Sequence, residues 1–412
     1  MHTEVIDLFC GVGGLSAGFR AEGFKVLAGI DVDESCKFAY EKNIGAEFIP
    51  QSVSEVTVDQ LSGMYSVGAQ KILVGCAPCQ PFSMYTGRYR QNETEADIDK
   101  RWGMLNEFAR LIEGVKPDVV SMENVVRVAK HPAFESFICR IEAAGYFVKY
   151  HKVRSQDYGV PQKRSRLVLF ASRHGNVPLV PPTHAGQPIT VRDAIGNLPP
   201  LAAGETHPDD RLHAARGVAP HNLKRLQATR EGGSWRDWDV ELQLACHKKA
   251  GGKSFRAVYG RMNWDEPSPV ITTQCLGIGN GRFGHPAQDR AISIREAAIL
   301  QSFPANFEFV APDDQVKGVH LARQIGNAVP PRLGEAVARS IKLHLAELAP
   351  SVLPNPLDCM PEERDGEVTA APDTNEPPDA SRHYKSRLST FRVIRSGTIN
   401  GIKHRRLGRR TI

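Results

Sequence analysis

Short apolar runs recur through the first 171 residues. Val5-Ile6-Asp7-Leu8-Phe9, Lys25-Val26-Leu27-Ala28-Gly29-Ile30, Lys71-Ile72-Leu73-Val74 and Pro117-Asp118-Val119-Val120-Ser121-Met122 have the length and β-branched content of strands. Phe147 to Val153 and Arg166 to Ala171 read the same way. Between them, apolar positions fall at helical spacing: Leu15 to Glu22, a segment carrying Leu105, Phe108, Ala109, Leu111 and Ile112, and Val126 to Tyr146. Strands and helices in alternation predict an α/β domain of the nucleotide-binding kind.

From about Ser172 the alternation stops, and Pro, Gly, His and Arg become frequent. Residues 172–318 are expected to form a second, smaller and irregular domain of short strands and loops. Within it, Pro269-Val270-Ile271-Thr272-Thr273 reads as a strand, and Gly277-Ile278-Gly279-Asn280-Gly281-Arg282-Phe283 as a glycine-rich loop. Ser293 to Gln301 reads as a helix, with Ser293 and Glu296 spaced as a capping box. Gln324-Ile325-Gly326-Asn327-Ala328-Val329-Pro330-Pro331 then opens an amphipathic helix, Leu333 to Leu348. Residues 1–171 and 319–348 would make one domain, 172–318 another, and 349–412 a disordered tail.

Composition sharpens this picture. The chain has 412 residues, 41% hydrophobic and 24% charged, the balance of a soluble globular protein. No run of 18 apolar residues marks a membrane span, and the N-terminus lacks the basic and apolar regions of a signal peptide. Eight cysteines in a chain of this length are no disulfide framework, and a reducing, cytoplasmic setting fits best. Cys76-x-x-Cys79 lacks a second ligand pair at zinc spacing, so no metal is expected. The net charge of +6 is uneven: residues 355–380 carry −7 and residues 381–412 carry +10. The mildly basic remainder fits a nucleic-acid partner without requiring one, and the basic tail suits either plain solvation or loose attraction to phosphates.

The candidate chemistry sits where apolar runs end. After the first, Cys10-Gly11-Val12-Gly13-Gly14 is a glycine-rich turn leading into a helix, though its spacing is not G-x-G-x-x-G, which excludes a dehydrogenase fingerprint. After the second comes Asp31-Val32-Asp33, placed where such folds bind ribose hydroxyls; the competing reading is that Asp31 or Asp33 caps the next helix. After the third comes Gly75-Cys76-Ala77-Pro78-Cys79-Gln80-Pro81-Phe82-Ser83. Its prolines would hold Cys79 rigidly at a sheet edge, as a nucleophile or simply as a small buried side chain. The charged segment Tyr85 to Arg101 reads as a lid-like loop. Glu123 follows the fourth strand and would share the same edge. Arg164 and Arg166 stand at i and i+2 and would project to one face of an extended chain; the alternative is a plain surface turn.

Taken together, these segments resemble the DNA (cytosine-5)-methyltransferases that partner bacterial restriction systems, over most of residues 4–340. Asp7 to Gly14 is similar to the family's cofactor loop, Gly75 to Ser83 to its catalytic loop, and Glu123-Asn124-Val125 to its acidic motif. Gln162-Lys163-Arg164-Ser165-Arg166 is similar to its Q-x-R-x-R motif. Arg295-Glu296-Ala297-Ala298 with Gln301-Ser302-Phe303-Pro304 resembles the motif that organises target recognition, and Gln324 to Val329 the closing cofactor motif. The resemblance departs at Gln51-Ser52-Val53, where an acidic adenine contact is usual, and at Val32, where an aromatic residue is usual.

The resemblance implies a Rossmann-like S-adenosylmethionine-dependent methyltransferase domain with a smaller irregular target-recognition domain. It implies Cys79 as nucleophile on C6 of a flipped-out cytosine, Glu123 as the acid at N3, and Arg164 and Arg166 as anchors of the base or its phosphates. S-adenosyl-L-methionine would be held by Phe9, Gly11, Gly13, Gly14, Asp31, Val32, Pro78, Asn327 and Ala328. Double-stranded DNA is the implied partner, with a possible cognate restriction endonuclease, no membrane, a monomeric state and a cytoplasmic, nucleoid-associated location. Residues 172–318, with Arg256, Arg261, Arg282 and Thr272-Thr273, would read the target. An RNA cytosine-5 methyltransferase and a catalytically silent DNA-binding protein on the same scaffold are the competing readings; intact Cys79, Glu123, Arg164 and Arg166 oppose the second.

Overall fold

The structure is a computed structural model that describes residues 2–78, 95–249, 252 and 254–348, excepting the side chains of residues 95–102. Cys79, Tyr85 to Thr94 of the expected loop and the 349–412 tail therefore lie outside the described residues, whereas Glu95 to Arg101 of that loop belong to a helix, Glu95–Val115. Seven strands form one sheet: β1 (Thr3–Leu8), β2 (Lys25–Asp31), β3 (Glu47–Pro50), β4 (Gln70–Gly75), β5 (Val119–Val125), β6 (Phe147–Arg154) and β7 (Ser165–Ser172). Their order is β3-β2-β1-β4-β5-β7-β6. The first five are mutually parallel, and β7 runs antiparallel to both β5 and β6. Chain order reverses between β1 and β4, the kind of crevice where open α/β sheets bind ligands.

Burial explains the strand sequences. β5 is buried through six of its seven residues, whereas the edge strand β6 leaves Phe147, Lys149, Tyr150, Lys152 and Arg154 exposed. A central strand covered on both faces tolerates a near-continuous apolar run, and an edge strand carrying lysines resists pairing with other chains.

The helices are α1 (Gly14–Ala21), α2 (Lys37–Ile44), α3 (Val58–Gly63), α4 (Glu95–Val115), α5 (Pro132–Ala143), α6 (Val191–Ile195), α7 (Pro220–Gln227), α8 (Ala245–Lys248), α9 (Ile294–Leu300), α10 (Gly318–Asn327) and α11 (Pro331–Leu348). α1 and α11 cross at Gly18 and Gly334; a Cβ on Gly18 would collide with the Gly334 backbone. The chain end of the folded unit is thereby pinned beside the first helix. Three core clusters fill the layers. One of them packs Tyr40 and Phe48 with Ile271, Cys275, Leu300 and Phe303, so the apolar interior is continuous from the early sheet into the 172–318 segment. Among the described residues no helix is long and apolar enough to cross a membrane.

Three further expectations need correction. Val126 to Tyr146 is not one helix: a 3-10 turn (Val126–Lys130) precedes α5, because Pro132 disfavours the helical conformation at His131. The His131 ring nitrogen instead caps α5, accepting from the Ala133 N–H. Pro269–Thr273 forms no strand; a lone bridge joins Ser268 to Gln162. Finally, Gln324 to Asn327 does not open the helix that contains Leu333 to Leu348 but ends a separate one, α10. The capping box at Ser293 and Glu296 is present, with both reciprocal bonds formed.

Candidate active site

Register aligns the carboxyl ends of the central strands. Leu8 pairs with both Ile30 and Gly75, and Gly75 with Met122. The segments after β1, β2 and β4 and the end of β5 therefore share one edge, and the antiparallel β7 begins there, with Val125 opposite Arg166.

Glu123 is buried at this edge with two partners. Arg166 Nε lies 3.0 Å from its Oε1, and the Cys76 thiol donates to its Oε2 at 3.1 Å. The Asn124 side chain donates to the Ala77 carbonyl at 3.1 Å, tying the acidic motif to the backbone that leads through exposed Pro78 to Cys79. Arg164 is buried, and its Nη1 reaches the carbonyl of Ile271 at 3.4 Å. The two arginines of the motif thus serve different neighbours: Arg166 the carboxylate, Arg164 the backbone of the 172–318 segment. A surface turn does not describe them.

The segment after β1 bends sharply. Phe9, Gly11 and Gly13 all have positive φ, at 58°, 51° and 87°. Phe9 is a non-glycine residue in that region, a strain that concentrates at functional sites. The Gly11 N–H donates to Asp31 Oδ2, and Asp33 N–H to Asp31 Oδ1, both at 2.9 Å. Burial raises the Asp31 carboxyl, with Asp33 adding to the shift, while these N–H donors oppose it. Asp33, not Asp31, is the cap, accepting from Ser35 N–H at 3.3 Å.

Gly14 packs on the closing motif, where a Cβ would collide with the Val329 carbonyl oxygen. The Gln301 side chain donates to the Ala328 carbonyl at 2.7 Å and accepts from Gln162 at 2.6 Å. Asn327 is exposed beside this turn. A chain of amide contacts thus links the Q-x-R-x-R segment to Ala328.

These residues fit a nucleoside cofactor such as S-adenosyl-L-methionine. Asp31 is oriented by two backbone donors and keeps lone pairs for hydroxyls. Val32 is 76% exposed, an apolar side chain with no cover beside that carboxylate. The space around a Cβ at Gly11 is open to 4 Å, so a ligand can approach the backbone there.

A family model described as C-5 cytosine-specific DNA methylase matches residues 3–343. The chain belongs to this family and is a DNA cytosine-5 methyltransferase. It is 51% identical to the type II methylase M.HgiDII of Herpetosiphon aurantiacus, over 84% of this chain and 97% of that one. It is 31% identical to the type II methyltransferase M1.HphI of Haemophilus parahaemolyticus, over 83% and 87%. Among solved structures it is similar to a prophage-encoded protein of E. coli described as a DNA modification methyltransferase, with TM-score 0.63 and 22% identity over 84% and 99% of the chains. A Spodoptera frugiperda DNMT2 variant matches with TM-score 0.57 and 13% identity over 82% and 99%. Both likenesses concern the fold.

In this methylase two arginines expected to read the target are spent elsewhere. Arg261 is buried and donates to the carbonyls of Leu226, Thr229, His285 and Gln288, besides pairing with Asp289. Arg282 donates to the carbonyls of Gly232, Gly233 and Arg261. An irregular segment has many backbone acceptors outside any ladder, and guanidinium groups satisfy them. A fully buried ion pair, Arg290 with Glu296 at 2.7 Å, serves the same segment.

Asp7, in β1, opens the Asp7 to Gly14 segment, and its residue type alone gave it no separate role. Asp7 is fully buried, accepts from Ser16 Oγ at 2.6 Å, and has no described partner for Oδ1. Ser16 Oγ also bonds Tyr40 Oη at 3.0 Å. Burial pushes the Asp7 carboxyl up to about 7.

Proposed function

We propose that this methylase transfers a methyl group from S-adenosyl-L-methionine to C5 of a cytosine within a specific duplex DNA sequence, through a covalent bond between Cys79 and C6. The observation that carries the reading is the buried Glu123, held between Arg166 and Cys76 at the sheet edge that leads into Cys79.

Cytosine C5 is a poor nucleophile. Addition of the Cys79 thiolate at C6 pushes an electron pair toward C5 and N3 and makes C5 reactive. Glu123 places a proton or hydrogen bond at N3, where negative charge develops. Arg166 fixes the carboxyl orientation, so its Oε2 face and the base edge meet without reorganisation. Arg164 holds the Ile271 carbonyl beside the site and, with Arg166, favours the thiolate. When bound, S-adenosyl-L-methionine supplies the electrophilic methyl group for C5. Phe9, Gly11, Gly13, Gly14, Asp31, Val32, Pro78, Asn327 and Ala328 would hold it. Loss of the C5 proton and expulsion of Cys79 restore the ring. The target must leave the duplex stack for these contacts to form.

Residues 172–318 select the sequence, as loops on a rigid scaffold suit base reading. The names of the relatives support a place in a type II restriction-modification system, or an orphan role descended from one. The protein would act on DNA as a cytoplasmic, nucleoid-associated monomer, with no contact to an endonuclease required. Bisulfite sequencing of DNA from cells expressing the protein tests this reading: one recurring motif with a protected cytosine is expected. Unprotected DNA, alongside methylated tRNA, would contradict it.

A further inference from the structure

The 172–318 segment holds twelve arginines, and most are occupied. Besides Arg261 and Arg282, Arg192 pairs with Asp265 and Arg295 with Asp210, and Arg211 reaches the carbonyls of Ala311, Pro312 and Asp314. Arg225 donates to the Leu242 carbonyl and to Asn222. Arg216 and Arg256 differ: both are exposed, and among the described residues neither side chain has a hydrogen bond or ion pair, but of the two only Arg216 lines a cleft.

Arg216 lines a cleft of about 230 Å³. Gly277, Gly279 and Asn280 of the glycine-rich loop line it as well, with Tyr259 packed against Gly279. No Asp or Glu lines the cleft, so the guanidinium has no counter-charge there. The wall is shaped deliberately. Tyr259 has φ 55° and donates its N–H to the Ile278 carbonyl at 2.7 Å, and the Asn280 amide reaches back to the Gln274 carbonyl at 3.4 Å. A strained tyrosine and a braced loop around an unengaged guanidinium describe a site awaiting acceptors from outside the chain.

The cleft is close to the catalytic edge along the chain. Ile271 touches Arg164, and Gly326 packs against Thr272 and Thr273, where a Cβ would collide with their backbone. Gly277 is six residue steps from Ile271, and a chain of that length spans at most roughly 20 Å. At about 3.4 Å per base step that reach corresponds to about six base steps, the scale of a short target sequence. A guanidinium at that range has one frequent specific partner, the O6 and N7 acceptor pair of guanine in the major groove.

We propose that Arg216 is a specificity-determining residue of this methylase, taking a guanine of the target sequence in the cleft it forms with the Gly277–Asn280 loop. This rests on the reading above as a sequence-specific DNA cytosine methylase. A phosphate contact would not need a cleft, and would add affinity without base preference.

The test uses the full-length protein, S-adenosyl-L-methionine and a pool of duplexes randomised around cytosine, read by bisulfite sequencing. Wild type should yield one motif containing a guanine; a wild type that methylates nothing would sink the functional reading itself. Arg216→Ala should keep the motif but relax it at one guanine, with discrimination there falling about 5- to 150-fold. Arg216→Lys should relax the same position, because an ammonium cannot reproduce the two parallel bonds. Either of two results overturns the proposal: an unrelaxed motif in Arg216→Ala, or a uniform loss over all sequences that Arg216→Lys restores. Cofactor binding by both variants, measured by calorimetry, should match wild type and shows that they are folded.

Discussion

Arg166 Nε lies 3.0 Å from Glu123 Oε1, with the two side chains 13% and 4% exposed. The pair joins the antiparallel β7 to the end of β5 at the edge where the site is built. Removing one partner of a buried pair leaves the other charge uncompensated, at a cost of about 3–5 kcal/mol. Arg166→Ala should therefore lose both thermal stability and rate. Glu123→Gln keeps the shape but removes the charge facing Arg166, so it too should melt lower, while single-turnover methylation by the folded protein slows by roughly 10²-fold or more. Equal rates for Glu123→Gln and wild type would make the carboxyl structural.

The Cys76 thiol is the second donor to Glu123. Cys76→Ser retains a donor and Cys76→Ala does not. A hydrogen bond to a charged group contributes about 1.5–3 kcal/mol, and a thiol is the weaker kind of donor. Cys76→Ala should lower kcat by roughly 10-fold with an unchanged KM for cofactor, and Cys76→Ser should recover most of it. Steady-state kinetics of the two variants check this, and equal kcat values in both would exclude the bond from catalysis.

Gly14 and Gly11 differ in what a methyl group would meet. At Gly14 it would strike the Val329 carbonyl oxygen, whereas at Gly11 it would meet nothing within 4 Å and only the strain of φ 51°. A left-handed L-residue costs about 1–2 kcal/mol. Gly14→Ala should separate the cofactor loop from the closing motif and reduce both melting temperature and cofactor affinity more than Gly11→Ala. The reverse order in calorimetry would contradict the packing described.

Asp7 gives the stability a pH dependence of known sign. Its carboxyl is pushed up to about 7 in the fold, against about 3.9 in an unfolded chain. Between those values the folded state keeps a proton that the unfolded state releases. Stability from this group is therefore highest below about pH 4, falls as pH rises toward 7, and is level above it. The full change is about 4 kcal/mol. Asp7→Asn mimics the protonated form and should flatten this part of the profile, with a gain near pH 8. Urea unfolding of both proteins at pH 5 and pH 8 measures it; parallel profiles would show that Asp7 carries no such proton.

Six of the seven strands were legible because the central ones are buried apolar runs that end in conspicuous turns: Phe9 to Gly14, Asp31 to Asp33 and Cys76 to Pro78 each mark a strand end, whereas β3, four residues long with only Phe48 buried, gave no such signal. The capping box at Ser293 was legible because its two bonds depend on local spacing alone. Arg261 and Arg282 were misread because residue type shows what a guanidinium can reach, while the carbonyls that occupy it come from positions far along the chain. Pro269–Thr273 has strand composition but is held by Gln162, Arg164 and Gly326 rather than by a neighbouring strand. The break at His131 had a visible signal in Pro132. The Gln162–Gln301 contact spans 139 residues and the Gln301–Ala328 contact 27, and no local pattern announces either.

The central claim is that Cys79 attacks C6 of the target cytosine. Duplex DNA carrying 5-fluorocytosine at the methylated position tests it most directly, because fluorine blocks the proton loss that releases the enzyme. In the presence of S-adenosyl-L-methionine the account expects a covalent protein–DNA complex that survives denaturation, with the attached peptide mapping to Cys79 and no complex from Cys79→Ser. A complex mapping to Cys76 or Cys10, or one still formed by Cys79→Ser, would contradict it.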